Sequence, residues 1–452
     1  MPTPLADPAA YFCRAFLEGG SILKIAQVAP LIESVPPRSY GGTERIVSYL
    51  TEALVEMGHD VTLFASGDSR TRARLVPVVQ HGLRLDRRRP DWLPWHMIMV
   101  DQVFRQADDF DLIHFHVDFV QAARGPRVRT PCLTTTHGRL DSPDLAAFLH
   151  HFGNLNLVSI SDRQREPLGW YGGWLGTVHH GLPLDLYRFN PSPQDYFAFV
   201  GRISPEKRVD RAIEIAISCG VRLRIAAKID AVDQSYFDLQ VRHLLHHPLV
   251  EFVGEIDDVQ KNVLIGNARA LLFPIDWPEP FGMVMIESLA CGTPVIAYRC
   301  GSVPEVLEDG VTGFIVDNQE DAIASARAIG RLDRHACRRV FEERFTSTVM
   351  ASRYVSLYQA LLPAAIPTNP AAAYAAAGQR AVIRPPARPP ARLPPTARPG
   401  RFNHEVIEDA AAPGIVAAMG RQAPEQDGTI ALPAAGTIPG PPGNRKQPVR
   451  RG

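Results

Sequence analysis

Two hydrophobic periods alternate along residues 22–362. Ile22–Ala29 is a largely apolar run of strand length, and Thr43–Met57 then places Ile46, Val47, Leu50, Ala53, Leu54 and Met57 on one helical stripe. Asp60–Ala65 returns to a short apolar run, which predicts a βαβ unit. Similar runs predict strands at Asp111–Val117, Pro131–Thr136, Leu155–Ile160 and Gly176–His179, then at Tyr196–Ile203, Val221–Ile229, Val250–Val253 and Leu271–Pro274. Helical spacing recurs near Tyr236–Leu245, Asp258–Ala268, Glu320–Leu332 and Thr346–Leu362. Strands alternating with helices form parallel sheets covered on both faces, and such sheets bind ligands at the carboxyl ends of their strands.

His180–Gln194 interrupts the alternation with Pro183, Pro191 and Pro193 and no sustained period, and reads as a linker. The fold class expected is therefore α/β, with two Rossmann-like, doubly wound domains at 22–182 and 183–345 facing each other across a cleft. The helix at 346–362 is expected to cross back onto the first domain. Residues 1–21 show no period and are expected to form a disordered leader. From Pro363 the chain turns to Pro, Ala, Arg and Gly, and 364–452 is expected to be a disordered tail with polyproline II character.

Charge narrows the partners. The 452 residues carry 48 Lys+Arg against 48 Asp+Glu, so no bulk field favours nucleic acid, and any anion site has to be built locally. The 6 cysteines are scattered, without Cys-x-x-Cys pairs or zinc-ligand spacing. No signal-peptide pattern and no membrane-length apolar run stand out, so a soluble cytoplasmic protein is expected. The βαβ unit lacks a Gly-x-Gly-x-x-Gly turn, which disfavours a nicotinamide enzyme.

The chemistry concentrates in Ile275–Tyr298. Pro278 and Pro280 block helix before Phe281, helical spacing runs through Met283, Ile286, Leu289 and Ala290, and Gly292 and Pro294 end it. Glu279 falls in the loop, Glu287 falls inside the helix, and Phe281-Gly282 stands at a helix mouth whose N–H groups are free for an anion. Two carboxylates alone also fit a solvated corner or a glycosidase acid and nucleophile. The whole string, Glu279-Pro280-Phe281-Gly282, Glu287 and Ala290-Cys291-Gly292-Thr293-Pro294-Val295-Ile296-Ala297, resembles the signature of the family-four retaining glycosyltransferases (glycosyl transferases group 1) of the GT-B fold. The similarity covers most of residues 22–362 and is strongest between Phe199 and Val316.

That resemblance implies transfer of a hexosyl group from a nucleotide-diphosphate sugar to a hydroxyl acceptor, with retention of configuration and with no metal or other cofactor. Arg202 and Lys207, in Gly201-Arg202-Ile203-Ser204-Pro205-Glu206-Lys207, would bind the diphosphate. Glu279 would accept hydrogen bonds from sugar hydroxyls, Glu287 would hold the ribose, and the backbone at Phe281 and Gly282 would meet sugar or phosphate. Gly41 and Gly42 would bring backbone near the donor phosphates, and His137 would lie against the transferred sugar. Catalytic candidates are thus Glu279, His137, Arg202 and Lys207; donor-binding candidates add Gly41, Gly42, Phe281, Gly282 and Glu287. The family often has Asn where this chain has His180, and no role is assigned there.

Other features have weaker claims. His114 and His116 share one face of a strand but lack a third metal ligand and are expected to be core or acceptor-cleft groups. Asp109-Phe110-Asp111 matches a metal-binding Asp-x-Asp by chance, since it precedes a strand. Arg84, Arg87, Arg88 and Arg89 before Trp92 and Trp95 raise peripheral membrane contact through 84–95. A sugar-nucleotide epimerase or hydrolase, or a non-catalytic sugar-nucleotide-binding scaffold, would use the same fold.

Overall fold

The computed structural model describes residues 21–362, apart from 39–40, 87, 90 and 124–127. Residues 1–20 of the expected leader (1–21) and the whole expected tail (364–452) lie outside the described residues. Seven strands build the first lobe: β1 (Lys24–Val28), β2 (Asp60–Ser66), β3 (Arg74–Val79), β4 (Leu112–Phe115), β5 (Cys132–Thr135), β6 (Leu157–Ser159) and β7 (Trp174–Thr177). Six build the second: β8 (Tyr196–Arg202), β9 (Arg222–Lys228), β10 (Val250–Gly254), β11 (Ala270–Phe273), β12 (Val295–Tyr298) and β13 (Gly313–Val316). The orders are β3-β2-β1-β4-β5-β6-β7 and β10-β9-β8-β11-β12-β13, and every pairing is parallel. Each order reverses direction beside its first strand, which opens a crevice at the carboxyl ends.

The longer helices are α1 (Gly42–Glu56), α2 (Leu93–Arg105), α3 (Pro143–His151), α4 (Val209–Cys219), α5 (Asp258–Gly266), α6 (Met283–Ala290), α7 (Gln319–Ala328), α8 (Arg334–Arg344) and α9 (Ser347–Leu361). The α1 stripe, Ile46, Leu50, Ala53 and Leu54, is buried with Ile25 of β1 and with Met350, Ala351, Tyr354, Val355 and Tyr358 of α9. Full burial of a Leu or Ile contributes about 1.5–3 kcal/mol, so this shared core, more than helix propensity, holds α1 and α9 together. In the second lobe α6 and α8 share one buried cluster, while α4 and α7 share another.

Chain passes between the lobes twice, and the two crossings are tied together. Leu182 N–H donates to the Phe345 carbonyl at 2.9 Å, and Ser347 N–H donates to the Leu182 carbonyl at 2.8 Å. α9 begins directly after this contact, and its buried residues pack on the first lobe's core.

Three local readings differ from the sequence expectation. Arg74–Val79 is an edge strand whose half-exposed residues and Pro77 mask its period. The helix expected near Tyr236–Leu245 breaks into a π turn at Phe237–Val241 and a 3-10 turn at Arg242–His246. The helix expected to reach Leu332 ends at Ala328, and the charged stretch Arg334–Arg344 is a separate helix, α8, capped by Asp333 Oδ1 on His335 N–H at 2.9 Å.

Candidate active site

The site residues stand at or just beyond the carboxyl ends of strands. Arg202 closes β8, His137 follows β5, and the loop from β11 to α6 carries Trp277 and Glu279. That loop is held from behind by Gly301-Ser302: Ser302 N–H donates to the Glu279 carbonyl at 3.0 Å, and Ser302 Oγ donates to the Phe281 carbonyl at 2.7 Å. Gly301 has φ +53, and a Cβ there would lie 2.3 Å from Glu279 N. Only glycine lets these two segments touch. Gly282, with φ +73, starts α6, and a Cβ on it would lie 2.9 Å from Met285 Cε and 3.3 Å from Glu279 Cγ. Of the first-turn N–H groups of α6, that of Met285 bonds the Gly282 carbonyl at 3.0 Å, and those of Met283 and Val284 have no acceptor within the helix and face its mouth.

Glu279 accepts from Lys207 Nζ and, at 2.8 Å, from Trp277 Nε1. The Lys207 ammonium also lies 4.9 Å from the Trp277 ring centroid. Lys207, Trp277 and Glu279 thus form one charged and aromatic unit at the helix mouth. Arg202 is held by other carboxylates. Its guanidinium binds Glu206 and lies 3.4 Å from Asp233 and 3.9 Å from Asp230. Burial raises the Asp233 carboxyl pKa even so, while Glu206, whose burial is outweighed by its own backbone N–H and by Arg202, is held below the ordinary value.

Glu287 is 4% exposed inside α6 and accepts from Lys261 Nζ of α5 at 2.9 Å. Lys261 also lies 3.3 Å from Asp258, which in turn pairs with Arg45 of α1 in the other lobe. A reciprocal cap between Asp257 and Gln260 fixes the first turn of α5 and so places Asp258 and Lys261. Burial works against the Lys261 ammonium, but Glu287 and Asp258 outweigh it and raise its pKa. The same competition, with Tyr49 and Asp258 as the stabilising neighbours, raises that of Arg45. Beside the cluster the buried Tyr187 hydroxyl has no hydrogen-bond partner among the described residues.

His137 lies under this loop in a chain of rings. Its Nε2 is 2.9 Å from His116 Nδ1, and its ring stacks on His180 with centroids 5.3 Å apart. His180 packs edge-on against Phe281, whose side chain is buried. Burial pushes the His137 pKa down to about 3 and those of His114, His116 and His180 well below the ordinary value, so all four are neutral near pH 7. Above them Gly41 precedes α1, where a Cβ would lie 2.9 Å from Pro37 Cβ, while Gly42 has nothing within 4 Å of its Cβ position.

Residues 188–336 match the family "Glycosyl transferases group 1", and residues 40–199 match "Glycosyltransferase Family 4". The chain belongs to the group 1 glycosyltransferases of GT-B fold. The D-inositol 3-phosphate glycosyltransferase of Mycolicibacterium smegmatis is 30% identical over 178 residues, 36% of this chain and 39% of that protein. The match to these first relatives thus spans about two fifths of their length. An uncharacterised glycosyltransferase of Methanocaldococcus jannaschii is 25% identical over 349 residues, 66% of this chain and 87% of its own. Among solved structures, AviGT4, a glycosyltransferase involved in avilamycin A biosynthesis, superposes with TM-score 0.61 at 26% identity, covering 76% of this chain and 99% of AviGT4. A structure of Anabaena HepE in complex with UDP and glucose shares the fold with TM-score 0.60 at 18% identity, covering 75% and 100%.

Within this group 1 glycosyltransferase the structure joins Lys207 to Glu279, sets Gly282 at the mouth of α6, buries Glu287 and leaves Arg202 among carboxylates. Sequence reasoning missed Trp277, Lys261 and Gly301, and singled out His180 without giving it a role. Trp277 stands inside the motif itself, two residues before Glu279, and was legible there. His114 and His116 are buried in hydrogen bonds to Tyr358, Thr135, Gln27 and His137. In the 84–95 stretch Arg84 pairs with Glu33, and Arg88 and Arg89 pair with Asp86; Arg87 lies outside the described residues. Leu93, Met97 and Ile98 of α2 are exposed. Among the described residues no helix is long and apolar enough to cross a membrane, and no cluster of three or more His, Cys, Asp or Glu side chains is placed to hold a metal ion.

Proposed function

We propose that this protein is a retaining hexosyltransferase that moves a hexosyl group from a nucleotide-diphosphate sugar to a hydroxyl acceptor without a metal ion. The unit of Lys207, Trp277 and Glu279 at the mouth of α6 carries the reading. An arriving diphosphate draws the Lys207 ammonium toward itself and the α6 N–H groups, and Glu279 is released to accept hydrogen bonds from the sugar hydroxyls. Glu287 holds the ribose, and Arg202 turns from its carboxylates to the phosphate. The bond from the anomeric carbon to the phosphate oxygen then breaks while the acceptor oxygen bonds to that carbon on the same face. The acceptor proton passes to the departing phosphate oxygen. Each fixed donor aimed at the developing charge contributes about 3 kcal/mol. HepE, solved with UDP and glucose on the same fold, supports a nucleotide-linked hexose.

A thermal-shift panel of UDP, ADP and GDP and their hexose conjugates tests this, since a ligand at 100 times its Kd adds about 2.7 kcal/mol to stability. One sugar nucleotide should raise the melting temperature of the native protein and not of Glu287→Ala, and incubation with acceptors should yield a new glycoside. A panel with no stabilising member refutes the reading. Free hexose as sole product would make the protein a hydrolase, and an isomerised donor an epimerase.

A further inference from the structure

Seven polar side chains run unbroken from α9 to His137. Tyr354 Oη lies 2.8 Å from Thr135 Oγ1, which lies 2.7 Å from His114 Nε2. His114 Nδ1 lies 2.8 Å from Tyr358 Oη, and Gln27 Nε2 donates to that same hydroxyl at 3.2 Å. Gln27 Oε1 lies 2.8 Å from His116 Nε2, and His116 Nδ1 lies 2.9 Å from His137 Nε2. At the end of the chain His137 Nδ1 is buried and has no partner among the described residues.

The Gln27 amide gives the chain a direction, because its oxygen can only accept and its NH2 can only donate. With Oε1 toward His116, His116 Nε2 must carry the proton, which leaves His116 Nδ1 bare. A bare Nδ1 can only accept, so His137 Nε2 must carry its own proton and His137 Nδ1 is a lone pair. On the other side Tyr358 accepts from Gln27 and donates to His114 Nδ1, so His114 donates from Nε2 to Thr135, and Thr135 donates to Tyr354. The chain so directed ends in the Tyr354 hydroxyl on one side and in the unspent His137 Nδ1 lone pair on the other. Turning the amide over would reverse each bond and make His137 Nδ1 a donor.

We propose that Gln27 and His116 are positioning residues that fix His137 as a hydrogen-bond acceptor at Nδ1, poised for a hydroxyl of the transferred sugar. The choice of ligand rests on the reading of the cleft as a sugar-nucleotide site, whereas the tautomer itself does not. The unspent lone pair selects a ligand that donates there, as a sugar hydroxyl does and an ether or carbonyl oxygen does not. Because Tyr358 belongs to α9, the same bonds tie the orientation of His137 to the docking of that helix.

Histidine-ring 15N spectra of the full chain test the tautomer near pH 7, with the His137 signals found by their loss in His137→Gln. Native His137 should show one pyrrole-type nitrogen at Nε2 and one bare nitrogen at Nδ1. Protonation at Nδ1 would overturn the proposal whatever the enzyme's substrate proves to be. In Gln27→Leu the single tautomer should give way to a mixture; an unchanged His137 spectrum would remove Gln27 from the role. If that variant does not fold, the native spectrum still decides. Should the tautomer stand while no hexosyl nucleotide perturbs the Nδ1 resonance, the sugar assignment fails and the relay survives.

Discussion

Replacing Lys261 with methionine should unfold the second lobe at a markedly lower temperature. The side chains of Glu287 and Lys261 are 5% and 15% exposed and their charged atoms are 2.9 Å apart. Removing one partner of a buried pair leaves the other charge uncompensated and costs about 3–5 kcal/mol. The lower figure applies here, because Asp258 keeps its pair with Arg45 after the change. For a lobe in the size class of 150–250 residues each kcal/mol moves the midpoint by about 2–4 °C, so Lys261→Met should melt about 6–12 °C below the native protein. Differential scanning calorimetry without ligand reads this directly. The double change Lys261→Met with Glu287→Leu removes both charges and should recover most of the loss, since apolar replacements of buried pairs are often neutral or stabilising. It should not recover nucleotide binding, for which the proposed function assigns the Glu287 carboxylate to the ribose. A Lys261→Met midpoint within about 1 °C of native would mean that Glu287 is not compensated by Lys261, and the account of this cluster would be wrong.

Three further outcomes follow from the same geometry. His114, His116, His137 and His180 are all held below the ordinary histidine value of 6.5, His137 down to about 3, so the unfolded chain takes up protons first as pH falls. Their stabilising contribution is fully present above pH 6.5 and is lost as pH falls below it, for His137 down to about pH 3, so urea midpoints should fall steadily as the solution is acidified from pH 6.5. Gly301→Ala should abolish most donor turnover and cost about 1–3 kcal/mol, as a Cβ 2.3 Å from Glu279 N must move the loop; native rates would refute the cradle. Vesicle sedimentation should show no salt-sensitive attachment through 84–95, because Arg84, Arg88 and Arg89 already face carboxylates; strong salt-dependent binding to anionic vesicles would refute that.

What could be read from the sequence was whatever neighbours in the chain decide. The α6 helix and its loop were legible because Pro280, the Met283–Ala290 period and Gly292 act within a few residues, and α1 because its stripe is uninterrupted. Arg74–Val79 escaped because an edge strand with Pro77 shows no clean alternation, and α8 because charge hides the stripe of Ala336, Cys337, Val340 and Phe341. The long-range polar pairings were not legible at all. Arg45 and Asp258 are 213 positions apart, and His114 and Tyr358 are 244 apart, so no local pattern foretells them. Lys261 reads as one more polar residue on an exposed helix until the fold sets it against Glu287.

The candidate donor-binding cations are already partnered, and this has a measurable consequence. Lys207 spends its charge on Glu279, and Arg202 spends its own on Glu206, with Asp230 and Asp233 nearby. A diphosphate must therefore displace protein carboxylates, and the exchange lowers its net affinity while it frees Glu279 for the sugar. A bare nucleotide diphosphate bears that loss with nothing to occupy Glu279, whereas a sugar nucleotide uses both halves of the exchange. Glu279→Gln should then tighten UDP, or whichever nucleotide the thermal panel selects, because Lys207 no longer has a carboxylate competing for it. A charge-assisted hydrogen bond in this setting contributes about 1.5–3 kcal/mol, of which the neutral amide retains part, so a gain of about threefold to tenfold is expected by titration calorimetry. The same variant should lose the preference of the native protein for sugar nucleotide over bare nucleotide. Weaker UDP binding in Glu279→Gln would show that Glu279 assists the phosphate site instead of competing for its lysine, and the exchange would have to be abandoned.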